Sequence, residues 1–225
     1  MPLWLWIVLG VVLVGAAVVL QQVFGRPRPC PWWFSSILWI MEKGPGRSRA
    51  GSTLLLDRAR VAPGMHVLDI GAGPGRISIP AAKRVGTGGS VTALDIQAKM
   101  LRLLATRARA EGIANIRTLE TDASKGDLGE DVYDRAFLVT VLGEIPERVA
   151  ALRAIHAALK DDGILSVTEA LPDPHYLRRS TLLRLAREAG LRHEETHGSW
   201  SAYTMNFAPV RQGSREVVGL NEVPS

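Results

Sequence analysis

Apolar and polar positions divide the chain into two unequal parts. Residues 3 to 20 read LWLWIVLGVVLVGAAVVL, and no charged side chain occurs before Arg26. At about 1.5 Å rise per residue, roughly 20 such residues cross the ~30 Å hydrocarbon core of a bilayer. The pattern therefore predicts a transmembrane helix over residues 1–25. A cleaved signal peptide is the alternative, although such a peptide usually has Lys or Arg ahead of its apolar core, and none is present.

The segment after the predicted span indicates how the chain is oriented. Basic residues follow the span at Arg26, Arg28, Lys43, Arg47 and Arg49. The positive-inside rule then places the N-terminus outside and the rest of the chain in the cytosol, as in a single-pass membrane protein. Residues 26–46 also contain Trp32, Trp33 and Trp39, which suit the headgroup layer of a bilayer. We interpret this segment as an interfacial linker, with packing against the following domain as the alternative.

From about Val61 onward, short β-rich runs alternate with helical stretches. The predicted strands are 67–71, 90–95, 116–121, 134–142 and 164–170. Helices are expected over 97–113, over 146–159 with Pro146 in the first turn, and near 177–189. Strand alternating with helix is typical of a parallel sheet with right-handed crossovers, so the fold class is α/β.

The end of the chain follows a different pattern. Two strand-like runs, LRHEETH and SAYTMNFAPV, are separated only by Gly198 and its neighbours, which predicts a terminal antiparallel hairpin. Residues 211–225 have the composition of a flexible tail. The domain organisation is therefore a span, a linker, a domain over 47–210 and a tail.

Composition narrows the possible chemistry. Of 225 residues, 47% are hydrophobic and 22% are charged, which permits a packed core. Cys30 is the only cysteine, so an intrachain disulfide and a cysteine-based zinc cluster are both excluded. The histidines show no metal-ligand spacing, and no metal site is predicted. A net charge of +5 is compatible with binding either nucleic acid or anionic lipid, and the charge alone does not distinguish the two.

A glycine-rich loop follows the first predicted strand, in VLDIGAGPGRISIP. Residues 71–75 read G-x-G-x-G, so the third glycine comes one residue earlier than in the dinucleotide-binding fingerprint. Pro74 lacks the N–H that a phosphate would accept, and no P-loop Lys follows. Asp69 precedes the loop; its carboxylate would repel a pyrophosphate and would suit a ligand carrying an ammonium group.

Two further acids occupy the ends of neighbouring predicted strands. Asp95 ends the second strand, where a carboxylate can accept both hydroxyls of a ribose. Asp122 follows the third strand, where it can meet an adenine amino group. Ligands of open α/β sheets bind at this carboxyl edge. A ligand with adenine, ribose and an amino acid but no phosphate satisfies all three acids, and S-adenosylmethionine (SAM) is such a ligand.

VLDIGAGPGR, followed by ALDIQAKML and NIRTLETDA, resembles the class I SAM-dependent methyltransferases, and most of all their UbiE-like and methyltransferase-domain groups. The resemblance covers roughly residues 47–208. It implies a Rossmann-like seven-stranded sheet ending in an antiparallel hairpin. In that family the glycine loop wraps the methionine part, the second acid holds the ribose and the third meets the adenine. The implied SAM-binding positions are Asp69, Gly71, Ala72, Gly73, Gly75, Asp95, Ile96, Asp122, Ala123 and Thr140.

The sequence gives weaker signals for the residues that would act on the methyl acceptor. The fourth strand ends near Thr140 without the Asp/Asn-Pro-Pro-Tyr motif of enzymes that methylate nucleobases or amides, so no nucleic-acid partner is expected. Glu144 is a candidate to take a proton or bind a cation; the alternative is that it caps the next helix. His175, in PDPHY, is a candidate general base, and the alternative is again a helix cap.

These observations favour a membrane-anchored SAM-dependent methyltransferase that acts on a lipid, quinone or other small apolar or amphipathic acceptor. One alternative is a lysine methyltransferase of membrane proteins. Another is a module that binds SAM without catalysis.

Overall fold

The computed structural model describes residues 47–171 and 173–211. Within these ranges, no helix is both long and apolar enough to cross a bilayer. The predicted span at 1–25, the linker at 26–46 and all but the first residue of the predicted tail lie outside the described residues.

The described chain forms five α-helices and seven strands. The helices are α1 (Arg47–Arg58), α2 (Ser78–Val85), α3 (Ala98–Ala110), α4 (Arg148–Ala158) and α5 (Arg179–Glu188). The strands are β1 (His66–Ile70), β2 (Ser90–Asp95), β3 (Ile116–Glu120), β4 (Tyr133–Val139), β5 (Leu159–Ala170), β6 (Leu191–Gly198) and β7 (Ala202–Pro209). A 3₁₀ turn at Leu142–Glu144 follows β4.

All seven strands form one sheet in the order β3-β2-β1-β4-β5-β7-β6. The first five are parallel to one another, whereas β7 is antiparallel to both β5 and β6. The alternation of strand and helix and the terminal hairpin, both predicted from the hydrophobic pattern, are confirmed. The chain moves outward from β1 to β3 and then returns to place β4 on the other side of β1.

Helices cover both faces of the sheet. On one face, α1 and α2 pack on the middle strands in a cluster that includes Leu56, Val67, Ala82 and Phe137. On the other face, α4 and α5 pack on β4, β5 and β7, with Leu152, Ile155 and Leu182 fully buried. Burying apolar side chains on both faces explains why the parallel strands read as continuous apolar runs in the sequence.

Several details differ from the sequence-based prediction. Strand β5 begins at Leu159 rather than at residue 164, so it starts within the predicted helix 146–159. Strand β4 ends at Val139 rather than at residue 142, because Thr140 has a φ of 54°, which no strand residue adopts. Helix α4 begins at Arg148, so Pro146 lies ahead of the helix and not in its first turn. Helix α1 was not predicted, since its buried apolar residues are confined to its last turn and the residue after it.

Candidate active site

The strand order reverses between β1 and β4, and at such a switch point a crevice opens at the carboxyl edge of an open α/β sheet. Ligands of open α/β sheets bind at such a switch point, because the loops that follow the two central strands separate there. The glycine loop follows β1 at this edge, and the 3₁₀ turn follows β4. Every SAM-binding position implied by the resemblance lies on the loops or strand ends of this edge.

The backbone of the glycine loop explains its composition. Gly71, Gly73 and Gly75 have φ values of 69°, 52° and 91°, which residues with a Cβ rarely adopt. The amides of Gly71 and Ala72 both donate to the carbonyl oxygen of Leu94, at 2.8 and 2.9 Å, and so hold the loop against the end of β2. No atom lies within 4 Å of the position that a Cβ on Gly73 would take, so a ligand can approach the backbone there.

Close contacts hold the rest of the loop in place. A Cβ on Gly71 would lie 2.4 Å from Cγ2 of Val141, after β4. A Cβ on Gly75 would lie 3.0 Å from Leu104 in α3. Arg107, also in α3, donates a hydrogen bond to the carbonyl oxygen of Pro74. No sequence motif marked Arg107, because its contact with Pro74 depends on how α3 packs.

Asp69 lies beneath the glycine loop. Its side chain is buried and accepts a hydrogen bond from the hydroxyl of Ser78, at the start of α2. Burial raises the pKa of Asp69 to about 6, although the bonds from Ser78 oppose this rise. From this position Asp69 joins the loop to the helix that follows it.

Asp95 links the loop to the second strand end. Its Oδ2 accepts from the amide of Gly73 at 2.9 Å, and its Oδ1 accepts from the amide of Gln97 at 2.8 Å. The residue is only 7% exposed, and burial raises its pKa. Its place at a strand end suggests a carboxylate open to solvent, but the structure buries it. Ile96, the next residue, is 50% exposed and offers an apolar side chain at the same edge.

The third strand end carries a more open acid. Asp122 accepts from both the hydroxyl and the amide of Ser124, at 2.7 and 2.9 Å, and these two bonds lower its pKa. Ala123 beside it is buried. Across the crevice, the left-handed Thr140 is held by its amide, which donates to the carbonyl oxygen of Thr168 at 2.8 Å. Strained backbone of this kind is frequent at functional sites.

These features fit S-adenosylmethionine. The open approach over Gly73 accommodates the amino-acid part, Asp95 offers carboxylate oxygens toward a ribose, and the exposed side chain of Ile96 offers an apolar surface for adenine. Asp95 already accepts two backbone amides, so ribose hydroxyls would share its oxygens with the loop.

Glu144 lies in the 3₁₀ turn after β4, and His175 lies in the loop that packs on this turn; we call this region the acceptor end of the crevice. Neither residue caps a helix. The N-cap of α4 is Glu147 and that of α5 is Arg178, so both capping alternatives are wrong. The loop that carries His175 packs directly on the 3₁₀ turn, since a Cβ on Gly143 would lie 1.9 Å from the His175 carbonyl oxygen. Neither ring nitrogen of His175 has a hydrogen-bond partner among the described residues.

The acceptor end also contains a buried carboxyl group, that of Glu169, which no sequence motif indicated. Glu169, near the end of β5, is 1% exposed, and its Oε2 accepts from the amide of Leu177 at 3.3 Å. The pKa of Glu169 is raised to about 8, chiefly by burial and to a smaller extent by the nearby Asp173 and Glu144, while the Leu177 amide and Arg148 oppose the rise. Burial also raises the pKa of Asp173, whose Oδ1 accepts from the amide of His175 at 2.7 Å. The acceptor end thus combines three carboxyl groups and an imidazole.

Comparison with known proteins agrees with this geometry. Residues 67–163, from β1 into β5, match the family model described as "Methyltransferase domain". The matched region contains the glycine loop and all three acidic strand ends.

Curated relatives share a similar stretch of sequence. The chain is 30% identical over 120 residues to nocamycin O-methyltransferase of Saccharothrix syringae, covering 53% of this chain and 43% of that protein. It is 30% identical over 141 residues to the ubiquinone/menaquinone biosynthesis C-methyltransferase UbiE of Shewanella frigidimarina, covering 62% of this chain and 55% of that one. The chain thus spans about half the length of the curated relatives it matches.

Solved structures share the fold. A SAM-dependent methyltransferase from Aquifex aeolicus superimposes with a TM-score of 0.65 at 21% identity, covering 71% of this chain and 89% of the other. At that identity the likeness concerns the fold. Together, these findings show that residues 67–163 match a methyltransferase domain and that the described chain has the fold of SAM-dependent methyltransferases.

Proposed function

We propose that this protein is a membrane-anchored methyltransferase that moves the methyl group of SAM to a lipid, quinone or other small apolar or amphipathic acceptor. The observation that carries the methyl-transfer part is the left-handed glycine loop that closes onto Asp95 at the switch point of the sheet. The acceptor class is supported by the UbiE relatives, whose names place them in quinone biosynthesis, and by the predicted apolar span.

The reaction is an in-line displacement in which the acceptor forms a bond to the methyl carbon as the carbon–sulfur bond breaks. SAM supplies an activated methyl group, so the protein supplies proximity and alignment. The glycine loop and Asp95 would hold the cofactor, and Thr140 and Val141, directly after β4, would border the methyl group.

A protonated acceptor must also lose a proton. His175 is our candidate to take it, because the residue lies beside the turn after β4 and its Nδ1 lies 3.8 Å from Oδ1 of Asp173, a carboxylate that would stabilise the imidazolium. Asp173 accepts from the His175 amide and positions the loop that carries the imidazole. Glu144 lies on the same turn and offers a second carboxylate to the acceptor.

A test of this proposal uses the detergent-solubilised full-length chain, SAM labelled in its methyl group, and a membrane lipid extract. We expect label in the lipid fraction, and loss of that label with Asp95→Ala. The amine of a lysine is the second candidate acceptor, because the carboxylates of Glu144 and Asp173, on either side of the contact between the turn after β4 and the loop after β5, would suit a cation. Label confined to membrane protein would favour that acceptor, and label in no fraction would overturn methyl transfer.

Membrane attachment and orientation are part of the same proposal. The charge-free residues 1–25 and the basic residues that follow favour a single span with the domain in the cytosol. A cysteine introduced at the exposed Thr87, with Cys30 replaced by Ser, tests the orientation. We expect a membrane-impermeant maleimide to label it only after cells are opened. Labelling in intact cells would reverse the orientation, and recovery in the soluble fraction would exclude the anchor.

A further inference from the structure

The β6–β7 turn carries the most exposed large hydrophobic side chain of the described residues. Trp200 is 75% exposed, whereas the other exposed large hydrophobics of the described chain do not exceed 50%. Tryptophan is usually at least partly buried, because its indole ring carries a large apolar surface. A tryptophan held in water at a turn indicates a surface that something else covers.

Three other exposed apolar residues lie on the same turn or on the loop that is hydrogen-bonded to it, and together with Trp200 we call them the tip. Leu171, after β5, is 44% exposed and donates its amide to the carbonyl oxygen of Ser201 at 2.8 Å. Pro174, in the same loop as Leu171, and Ala202, two residues after Trp200, are also exposed. The tip consists of Leu171, Pro174, Trp200 and Ala202.

Hydrogen bonds hold the tip in a defined shape. The hydroxyl of Tyr176 donates to the carbonyl oxygen of Trp200. Arg179 donates to the carbonyl oxygens of Gly198 and Ser199, at 3.0 and 2.6 Å, while its guanidinium lies over the ring of Tyr203. Because these carbonyls already have donors, the turn can enter a less polar layer without leaving them unpaired.

The charges around the tip suit an anionic surface. Residues 198–202 carry no charge, and Arg178 and Arg179 lie at the N-cap and the first position of the helix beside them. The acid in the other loop of the tip is Asp173, whose Oδ1 is turned to the amide of His175. The acids of β6 lie farther along the hairpin, where Glu194 pairs with Arg192 at 2.7 Å and Glu195 pairs with Arg60. An aromatic ring at headgroup depth with arginines toward the phosphates is the pattern of a membrane interface.

The tip lies at the same edge of the sheet as the candidate active site. Ala170 at the end of β5 pairs with Ala202 at the start of β7, so both loops of the tip project from the carboxyl edge. The loop between Leu171 and Tyr176 also carries His175, which packs on Gly143. A surface covering the tip would therefore lie next to the acceptor end of the crevice.

We propose that the tip is a membrane-contact surface that seats the acceptor end of the crevice against the headgroup layer of an anionic bilayer. This inference rests on the proposed function in that the predicted span would hold the domain near a bilayer. The span alone does not fix which face of the domain meets the bilayer, because the linker of 21 residues (26–46) can extend up to roughly 70 Å. The tip would supply the second contact that selects one face.

A bilayer fits the tip better than a second protein does. Stable protein interfaces use about 20–30 residues on each side, whereas the tip has four exposed apolar residues. Insertion of a few side chains into the headgroup layer needs no more than a tip of this size when a second anchor is present.

Spin labelling of the full-length chain tests the inference. In a Cys30→Ser background, Ser199→Cys places a nitroxide next to Trp200 without removing it, and Thr87→Cys is the matched control in the exposed loop before β2. The protein is reconstituted in phosphatidylcholine vesicles containing a minority of phosphatidylglycerol. We expect the label at 199 to collide more often with oxygen than with a water-soluble nickel chelate, and the label at 87 to show the reverse.

The further variant Trp200→Gln should return the label at 199 to the behaviour of the control while leaving SAM affinity unchanged. Equal exposure of both labels to the nickel chelate would overturn the inference. Spin–spin broadening at 199 that disappears on dilution with unlabelled protein would assign the tip to a second copy and would also overturn it. Methyl transfer to lipid with a water-exposed tip would leave the proposed function intact, whereas an inserted tip without lipid methylation would refute only the acceptor.

Discussion

Replacing Glu169 by Gln should make the stability of the protein less dependent on pH. The carboxyl group is 1% exposed, and its Oε1 has no hydrogen-bond partner in the described part of the chain. Burial raises its pKa from 4.5 to about 8, so the group is largely neutral at pH 7 in the folded protein. Glutamine has nearly the shape of the neutral acid, and its carbonyl oxygen can accept the amide of Leu177 in place of Oε2.

The sign follows from proton binding in the two states. Between pH 4.5 and about 8 the folded protein holds a proton on Glu169 that the unfolded chain has released, so the free energy of unfolding falls as pH rises through this window. One pKa unit corresponds to about 1.4 kcal/mol, which puts the full loss at roughly 5 kcal/mol as an upper figure. The glutamine variant lacks this loss, so relative to wild type it should gain several kcal/mol between pH 5 and pH 8.5.

Chemical denaturation followed by near-UV circular dichroism, in one mild detergent at each pH, measures the difference. Glu130→Gln is the matched control, because Glu130 is exposed and the same chemical change there should leave the pH dependence as in wild type. A constant difference in unfolding free energy between wild type and Glu169→Gln at pH 5 and pH 8.5 would refute the argument that Glu169 is a buried neutral acid.

Three further substitutions test the crevice. Asp95→Ala should weaken SAM binding by about 1–3 kcal/mol in calorimetric titration and should also lower the melting temperature, because two backbone amides lose their acceptor; unchanged affinity in a folded variant would remove Asp95 from the site. Gly143→Ala should reduce methyl transfer more than SAM affinity, since its Cβ would displace the loop at the His175 carbonyl, and equal effects on both would contradict this. Gly71→Ala should be strongly destabilising in thermal unfolding, and adding Val141→Ala should recover only part of the loss, because the positive φ of residue 71 remains; full recovery would show that crowding alone matters.

The amino-acid sequence predicted most strands of the sheet and, in the crevice, the glycine loop and the acid beside it. The alternation of strands and helices and the terminal hairpin depend on periodicity within consecutive residues, which the side chains record directly. The glycine loop could also be predicted from consecutive residues, because Gly71, Gly73 and Gly75 each adopt a positive φ that glycine favours. Asp95 could be associated with that loop because neighbouring parallel strands end at one edge of the sheet.

Only the tertiary structure decided how the groups at that edge are used. Asp95 looked like an open strand-end carboxylate and is buried against the Gly73 amide, because the loop folds back over β2. The environments of Glu169 and His175 depend on the loop after β5, and the sequence of this loop lacks the hydrophobic periodicity from which structure can be predicted. The exposure of Trp200 depends on how that loop meets the β6–β7 turn. Periodicity along the chain specifies the elements, whereas burial, hydrogen bonding and exposure at their ends depend on contacts between residues distant in sequence.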